Sequence, residues 1–303
     1  MRVRNTLEIF LPILISVAIV LFLRGFLSQT ATTPPSTTSG TESARPEDDV
    51  RNDVRVRAFL QAFGPLLDSV TYSADDAVFV LGERAIHFQD GRMLEADRLG
   101  DRDQFESIFY RYPLEWMTEV PQLKEEPVYS RDFLDLLFGQ TEAENRSNSR
   151  SVIFLDHRMF VNSLLVEPLL AVERDIKARA LTDQAVARWM EELNITYSFI
   201  RRDIAGTQTR SYHAYGLAVD LVPLSYEGKH MYWRWSRVHN REGWSRIPLS
   251  RRWTPPQAVV EAFERHGFVW GGKWSRFDNI HFEYRPEIIL FNRMEDESGA
   301  LPG

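Results

Sequence analysis

The chain has 303 residues, 44% of them hydrophobic, with eight Trp and nineteen Phe, enough for one large or two modest packed domains. Its net charge of −7 argues against a nucleic-acid-binding surface. The lack of cysteine excludes disulfides, thiolate metal ligands and a lipidated N-terminal Cys, and leaves the redox compartment open.

In chain order, Arg2 and Arg4 precede a run from Ile9 to Leu23 that is apolar except for Pro12 and Ser16, before Arg24 interrupts it. Such a run is an export or anchoring signal, and no convincing small-residue cleavage site comes after it. The expectation is a signal anchor over 1–27 that crosses the membrane once, with its positive N-terminus in the cytoplasm and the remainder periplasmic or extracellular; the alternative is a cleaved signal. The stretch TATTPPSTTSGTESARPEDD comes next, and its composition cannot repay the entropy of ordering, so 28–50 reads as a flexible tether.

Residues 51–150 read as a mixed α/β region. Val54–Leu67 has helical apolar spacing, Ala77–Leu81 and Ala85–Phe88 read as two short strands, Asp90-Gly91 is a turn signal, 130–138 reads as a helix, and Gln140–Arg150 reads as a polar loop. His87, Asp156 and His157 read as structural residues. From Ser151 the pattern sharpens into a domain over 151–293, with a flexible tail at 294–303. Phe160–Ala178 reads as a helix, Thr182 as the cap of a helix over Asp183–Leu193, and Ile195–Ile200 and Gly216–Val222 as strands. In the second strand, two-residue alternation puts Ala218, Asp220 and Val222 on one face. Thr254 with Pro255 starts a helix that Gly267 ends; Phe268–Trp270 is a strand, Gly271-Gly272 a turn, and Ile280–Tyr284 a last strand.

Two clusters carry chemistry: SYHAYGLAVD at 211–220 and DNIHFE at 278–283. His213 sits before the strand that bears Asp220, with Gly216 between them permitting close backbone approach. A strand Asp among apolar neighbours is costly unless paired or metal-bound, and the second cluster supplies further ligands. Two His and one Asp form an N/N/O site that leaves a fourth Zn²⁺ position for water, and a nearby carboxylate can take that water's proton.

The segments YSFIRRDIAGTQTRSYHAYGLAVDLVP and GFVWGGKWSRFDNIHFEYRPE resemble the S-x-H-x(6)-D and D-x-x-H signatures of the VanY-type zinc D-alanyl-D-alanine carboxypeptidases and their L-alanyl-D-glutamate endopeptidase relatives. The likeness is strong over roughly 195–290, weaker over 105–195, and absent before. It implies one zinc per chain on His213, Asp220 and His281, with Asp278 as general base. It also implies an Arg that polarises the scissile carbonyl, matched by Arg202 with Arg201 as its competitor. Ser211 either orients His213 or is a turn hydroxyl. Glu283 shares a strand face with His281 and is either its outer partner or an ordinary salt bridge. Trp270 and Trp274 are expected to wall the cleft. Between Tyr226 and Trp253, four Trp alternate with Arg234, Arg237, Arg241 and others; this mixture suits an acidic peptide strand, or is aromatic core with solvated arginines.

The resemblance implies an α+β fold of the Hedgehog and D-Ala-D-Ala-peptidase type, an antiparallel sheet with helices packed on one side, here behind one membrane helix. The expected function is a zinc metallopeptidase that hydrolyses amide bonds of peptidoglycan peptides, as a carboxypeptidase or an endopeptidase. The alternative is a catalytically silent wall-binding or signalling module on the same fold.

Overall fold

The computed structural model describes residues 50–73, 75–204 and 209–299. The expected anchor at 1–27 and all of the tether but Val50 lie outside the described residues, among which no helix is long and apolar enough to cross a membrane.

Asp53 caps helix α1 (Val54–Phe63) by accepting from the Arg55 backbone N–H at 2.8 Å, a contact worth about 1 kcal/mol. Buried Val56, Phe59 and Phe63 recur at helical spacing along it. An antiparallel meander comes after it: β1 (Ser69–Tyr72), β2 (Ala77–Leu81), β3 (Arg84–Gln89) and β4 (Arg92–Leu94). The expected turn joins β3 to β4, with Asp90 and Gly91 both at positive φ. Phe59 of α1 meets Phe79 of this sheet at 4.8 Å between ring centroids. Helix α2 (Asp132–Phe138) comes next.

Gln140–Arg150 is not a loop. A reciprocal capping box between Thr141 and Glu144 nucleates α3 (Glu142–Ser147), and β5 (Ser149–Phe154) pairs with β6 (His157–Asn162) as a hairpin, so the boundary expected at 150/151 falls inside a strand. The helix expected from Phe160 begins later, at α4 (Val166–Ala180). Residues 157–162 alternate instead, with Met159 and Val161 buried and Arg158 and Phe160 exposed. Asp183, one residue beyond the expected cap, accepts from the Ala185 and Val186 N–H groups to start α5 (Gln184–Glu191).

Strands β7 (Leu193–Tyr197) and β8 (Ala218–Pro223) come next, then α6 (Trp233–His239) and α7 (Gln257–Arg265). Pro256 sits at the cap of α7, two residues past the expected start, because a residue preceding proline is pushed out of the helical region and Pro255 precedes Pro256. The chain closes with β9 (Phe268–Trp270), β10 (His281–Tyr284) and α8 (Pro286–Gly299), so residues 294–299, expected in a tail, are helical.

The second sheet has the order β7-β8-β10-β9, antiparallel throughout. One face carries Val219, Leu221 and Phe282 into the core, where Phe282 stacks on Phe263 of α7 at 4.1 Å and α7 packs on α4. Burying a Phe contributes about 1.5–3 kcal/mol. The opposite face carries Tyr197, Asp220 and His281 as direct cross-strand partners. The expected α+β class, with antiparallel strands and helices, is what the structure has.

The region before 150 shares this core. Helix α1 packs on α8. The Tyr112 hydroxyl accepts from the Trp270 backbone N–H at 2.9 Å, and buried Lys273 donates to the Pro113 carbonyl at 2.8 Å while pairing with Glu264 at 2.6 Å.

Candidate metal centre and catalytic cleft

Ser211 starts the turn that places His213: its Oγ accepts from the His213 backbone N–H at 3.3 Å, ahead of a short 3-10 turn over Tyr212–Tyr215. Gly216 ends that turn at φ 69°, and any Cβ there would lie 2.7 Å from the Asn162 backbone nitrogen, so only glycine fits. Two residues later β8 begins and carries Asp220 to the same point from the sheet. His281 arrives from β10 as the register partner of Asp220.

The three side chains converge. His213 Nε2 lies 3.2 Å from Asp220 Oδ1 and 3.2 Å from His281 Nδ1, and His281 Nδ1 lies 2.8 Å from the same Asp220 oxygen. All three are buried, and their donor atoms lie within 4.8 Å of one another. The far side of each imidazole faces an acceptor: His213 Nδ1 the Ser198 carbonyl at 2.7 Å, and His281 Nε2 the Glu283 carboxylate at 3.1 Å. With a cation bound, each far nitrogen would carry the proton and the two near nitrogens, His213 Nε2 and His281 Nδ1, would turn lone pairs to the ion beside Asp220 Oδ1. Two lone pairs and a carboxylate aimed at one point fit a cation.

Crowding sets the electrostatics of the site. Burial alone would raise the Asp220 carboxyl, but His213 and His281 hold it far below the usual carboxylate range. Burial would lower His281, yet its hydrogen bonds to Asp220 and Glu283 raise it to about 10. Asp278 is opposite in character: burial pushes it up to about 7, the Asp220 charge adds to the rise, and His281 and Arg202 oppose it. Its Oδ1 is buried with no hydrogen-bond partner among the described residues. Its backbone N–H donates to the Gly271 carbonyl at 3.0 Å, in a turn so close that a Cβ on Gly271 would lie 2.7 Å from the Asp278 carbonyl oxygen.

The two candidate arginines separate cleanly. Arg202 donates from Nη2 to Asp220 Oδ2 at 3.3 Å, whereas Arg201 turns outward to Glu142 at 3.0 Å. Glu283 is the outer partner of His281, and Arg285 backs it with Nη1 3.8 Å from Glu283 Oε2 while donating to the Ile108 carbonyl at 3.0 Å. Trp274 lies beside the site, its ring 5.6 Å from that of His281. Trp270 does not wall the cleft: it pairs in register with Phe282, on the core face, and is fully buried, with its ring stacked on Trp116 at 5.6 Å and its Nε1–H donating to the Asn279 carbonyl.

Sequence reasoning missed Tyr197 and Tyr232. Tyr197 is the register partner of Asp220, with its ring 6.1 Å from that of His213; burial first, then the Asp220 carboxylate, pushes its phenol up to about 12. Tyr232 forms a backbone bridge with Asp278, and its phenol is raised by burial and by that carboxylate. Alternation along β7 points to Tyr197 once the pairing is known; nothing in the sequence points to Tyr232. The aromatic and basic segment divides: Trp244 and Trp253 are core, Arg252 is buried over Phe277 at 4.0 Å, and Trp235 is exposed. His87 pairs with Asp76 and His230 with Ser236, both structural.

Residues 205–284 match the family model described as D-alanyl-D-alanine carboxypeptidase, the family whose signatures the sequence resembles. The match contains His213, Asp220, Asp278, His281 and Glu283; Tyr197, Arg202 and Arg285 lie outside it. Comparison with curated proteins gave no match, and comparison with solved structures gave none.

Proposed function

We propose that the chain is a zinc-dependent peptidase that hydrolyses amide bonds in peptidoglycan peptides. The observation that carries the reading is the meeting of His213, Asp220 and His281 around one point, with Asp278 and Arg202 beside it. Zinc held there supplies Lewis-acid polarisation of a carbonyl and brings a water's pKa toward neutrality.

The remaining work falls to the chain. Asp278, buried beside the cluster with an unpartnered Oδ1, suits a group that takes a proton from the attacking water and returns it to the leaving amine. Arg202 has five N–H donors and, among the described residues, gives one to Asp220, which leaves donors to meet the oxyanion that develops on the scissile carbonyl. Glu283 and the Ser198 carbonyl hold the two imidazoles in their ligating tautomers. Incubating the purified chain with muropeptides and identifying products by mass spectrometry tests the reading: loss of one terminal residue marks a carboxypeptidase, internal cleavage an endopeptidase. No cleavage of any muropeptide by the zinc-loaded chain would favour the silent module.

Arg202→Lys should lower kcat about 10- to 100-fold with zinc retained, because lysine keeps the charge but not the guanidinium fork. Arg201→Lys should change kcat less than about twofold, since that side chain points to Glu142. A larger loss in the Arg201 variant would reverse the assignment.

The substrate class accords with a chain held outside the cytoplasm by Ile9–Leu23 and spaced from the membrane by the Ser/Thr/Pro stretch. A reporter fused after Gly303 should be active only outside the cytoplasm, and the full chain should sediment with membranes through a high-salt wash. A cytoplasmic reporter would overturn the location and, with it, access to this substrate.

A further inference from the structure

Between Tyr226 and Trp253 the cations far outnumber the two carboxylates, Glu227 and Glu242, in a chain whose net charge is −7. The concentration has a structural form. Arg234, Arg237 and Val238 keep the i, i+3, i+4 spacing of one face of α6, and Arg241 lies in the turn beyond the Asn240 cap. With Trp233 they line an open groove of about 410 Å³. Val238 is 78% exposed, and neighbouring Trp235 is 55% exposed.

Tyr232 stands between this face and the catalytic cleft, its phenol within electrostatic reach of Asp278 and of Arg234. Tyr232, just ahead of α6, bridges to Asp278, and the Trp233 backbone N–H donates to the Phe277 carbonyl at 2.9 Å. From there the arginine face leads away at about 1.5 Å per residue, the rise of an α-helix. Several arginines elsewhere are paired: Arg98 with Asp132, Arg201 with Glu142, Arg210 with Asp135. Among the described residues no carboxylate pairs with Arg237 or Arg241. An exposed guanidinium pair beside apolar side chains, reached from the cleft through Tyr232, suits an extended ligand that alternates carboxylates with aliphatic groups.

We propose that this face binds the free carboxylates of an acidic peptide strand extending from the scissile bond at Asp278. The inference rests on the peptidase reading and adds a substrate class to it: peptides whose carboxylates are free rather than amidated.

The test uses the full zinc-loaded chain and two probes, a muropeptide with free side carboxylates and the same muropeptide amidated. The readout is the ratio of KM values between the probes. The wild type should favour the free acid by about tenfold, as charge-assisted hydrogen bonds allow, and added salt should erode the preference. Arg237→Gln with Arg241→Gln should abolish it, by raising KM for the free acid to that of the amidated probe. Equal KM values in the wild type, or a preference that survives the double substitution, would overturn the proposal. So would loss of binding to phosphatidylglycerol vesicles in the double variant without any change in the KM ratio, which would mark a membrane-docking face. If the wild type cleaves neither probe, calorimetric titration of both keeps the two readings apart. Tighter binding of the free acid, lost on double substitution, would uphold the face while the peptidase reading fails; equal binding would sink both.

Discussion

Asp278→Asn is expected to retain close to one zinc per chain and to lose about 10²- to 10⁴-fold in kcat, the usual contribution of a positioned acid–base group. That corresponds to about 3–5 kcal/mol of transition-state stabilisation. Asn preserves the shape of the side chain and removes its ability to take a proton. It also leaves His213, Asp220 and His281 untouched, because none of the three hydrogen-bonds to the Asp278 carboxylate. The Asn carbonyl oxygen can still accept from the Ile280 backbone N–H, and the buried Oδ1 position has no partner to lose, so the fold should survive the substitution. Metal analysis beside steady-state kinetics separates the outcomes. Loss of zinc would make Asp278 a ligand and require a new role for Asp220; a wild-type rate would remove Asp278 from the mechanism.

The centre was legible in the sequence because its residues obey local rules. His213 comes after a hydroxyl that starts its turn, a glycine lets the backbone approach, and alternation along β8 and β10 puts Asp220, His281 and Glu283 on one face. What escaped depends on pairing between distant segments. Tyr197 joins the site only because β7 registers it against Asp220, and Tyr232 only because its backbone bridges to Asp278. Trp270 was expected, with Trp274, to wall the cleft. Its pairing with Phe282 turns it to the core, where Trp116, from a part of the chain with no recognisable motif, covers it. The same region supplies the Ile108 carbonyl that holds Arg285 behind Glu283, so the residues that keep His281 in place extend beyond the segment matched by the family model. Helix boundaries slipped where a local signal was overlooked: the Thr141–Glu144 capping box, and the strand alternation of 157–162 ahead of α4.

His213→Ala and His281→Ala should each reduce bound zinc to a small fraction of one per chain and abolish turnover, and both should lower Tm even in the absence of metal. Three donor atoms around one point are the minimum for a catalytic zinc site, and removing an imidazole leaves two. The structural cost arises from Asp220, which is 3% exposed and held ionised chiefly by those imidazoles. Removing one partner of a buried charged pair costs about 3–5 kcal/mol, more than a surface substitution approaches. Chelation of the wild type provides the comparison that isolates the metal, since it withdraws the ion and leaves every side chain in place. Zinc at a hundred times its dissociation constant contributes about 2.7 kcal/mol of stability, which chelation should remove and added zinc restore. The alanine variants should then melt at or below the chelated wild type and fail to respond to zinc. A variant that keeps full zinc content, or that regains wild-type Tm when zinc is added, would show that its histidine is not a ligand and would dissolve the centre on which the peptidase reading stands.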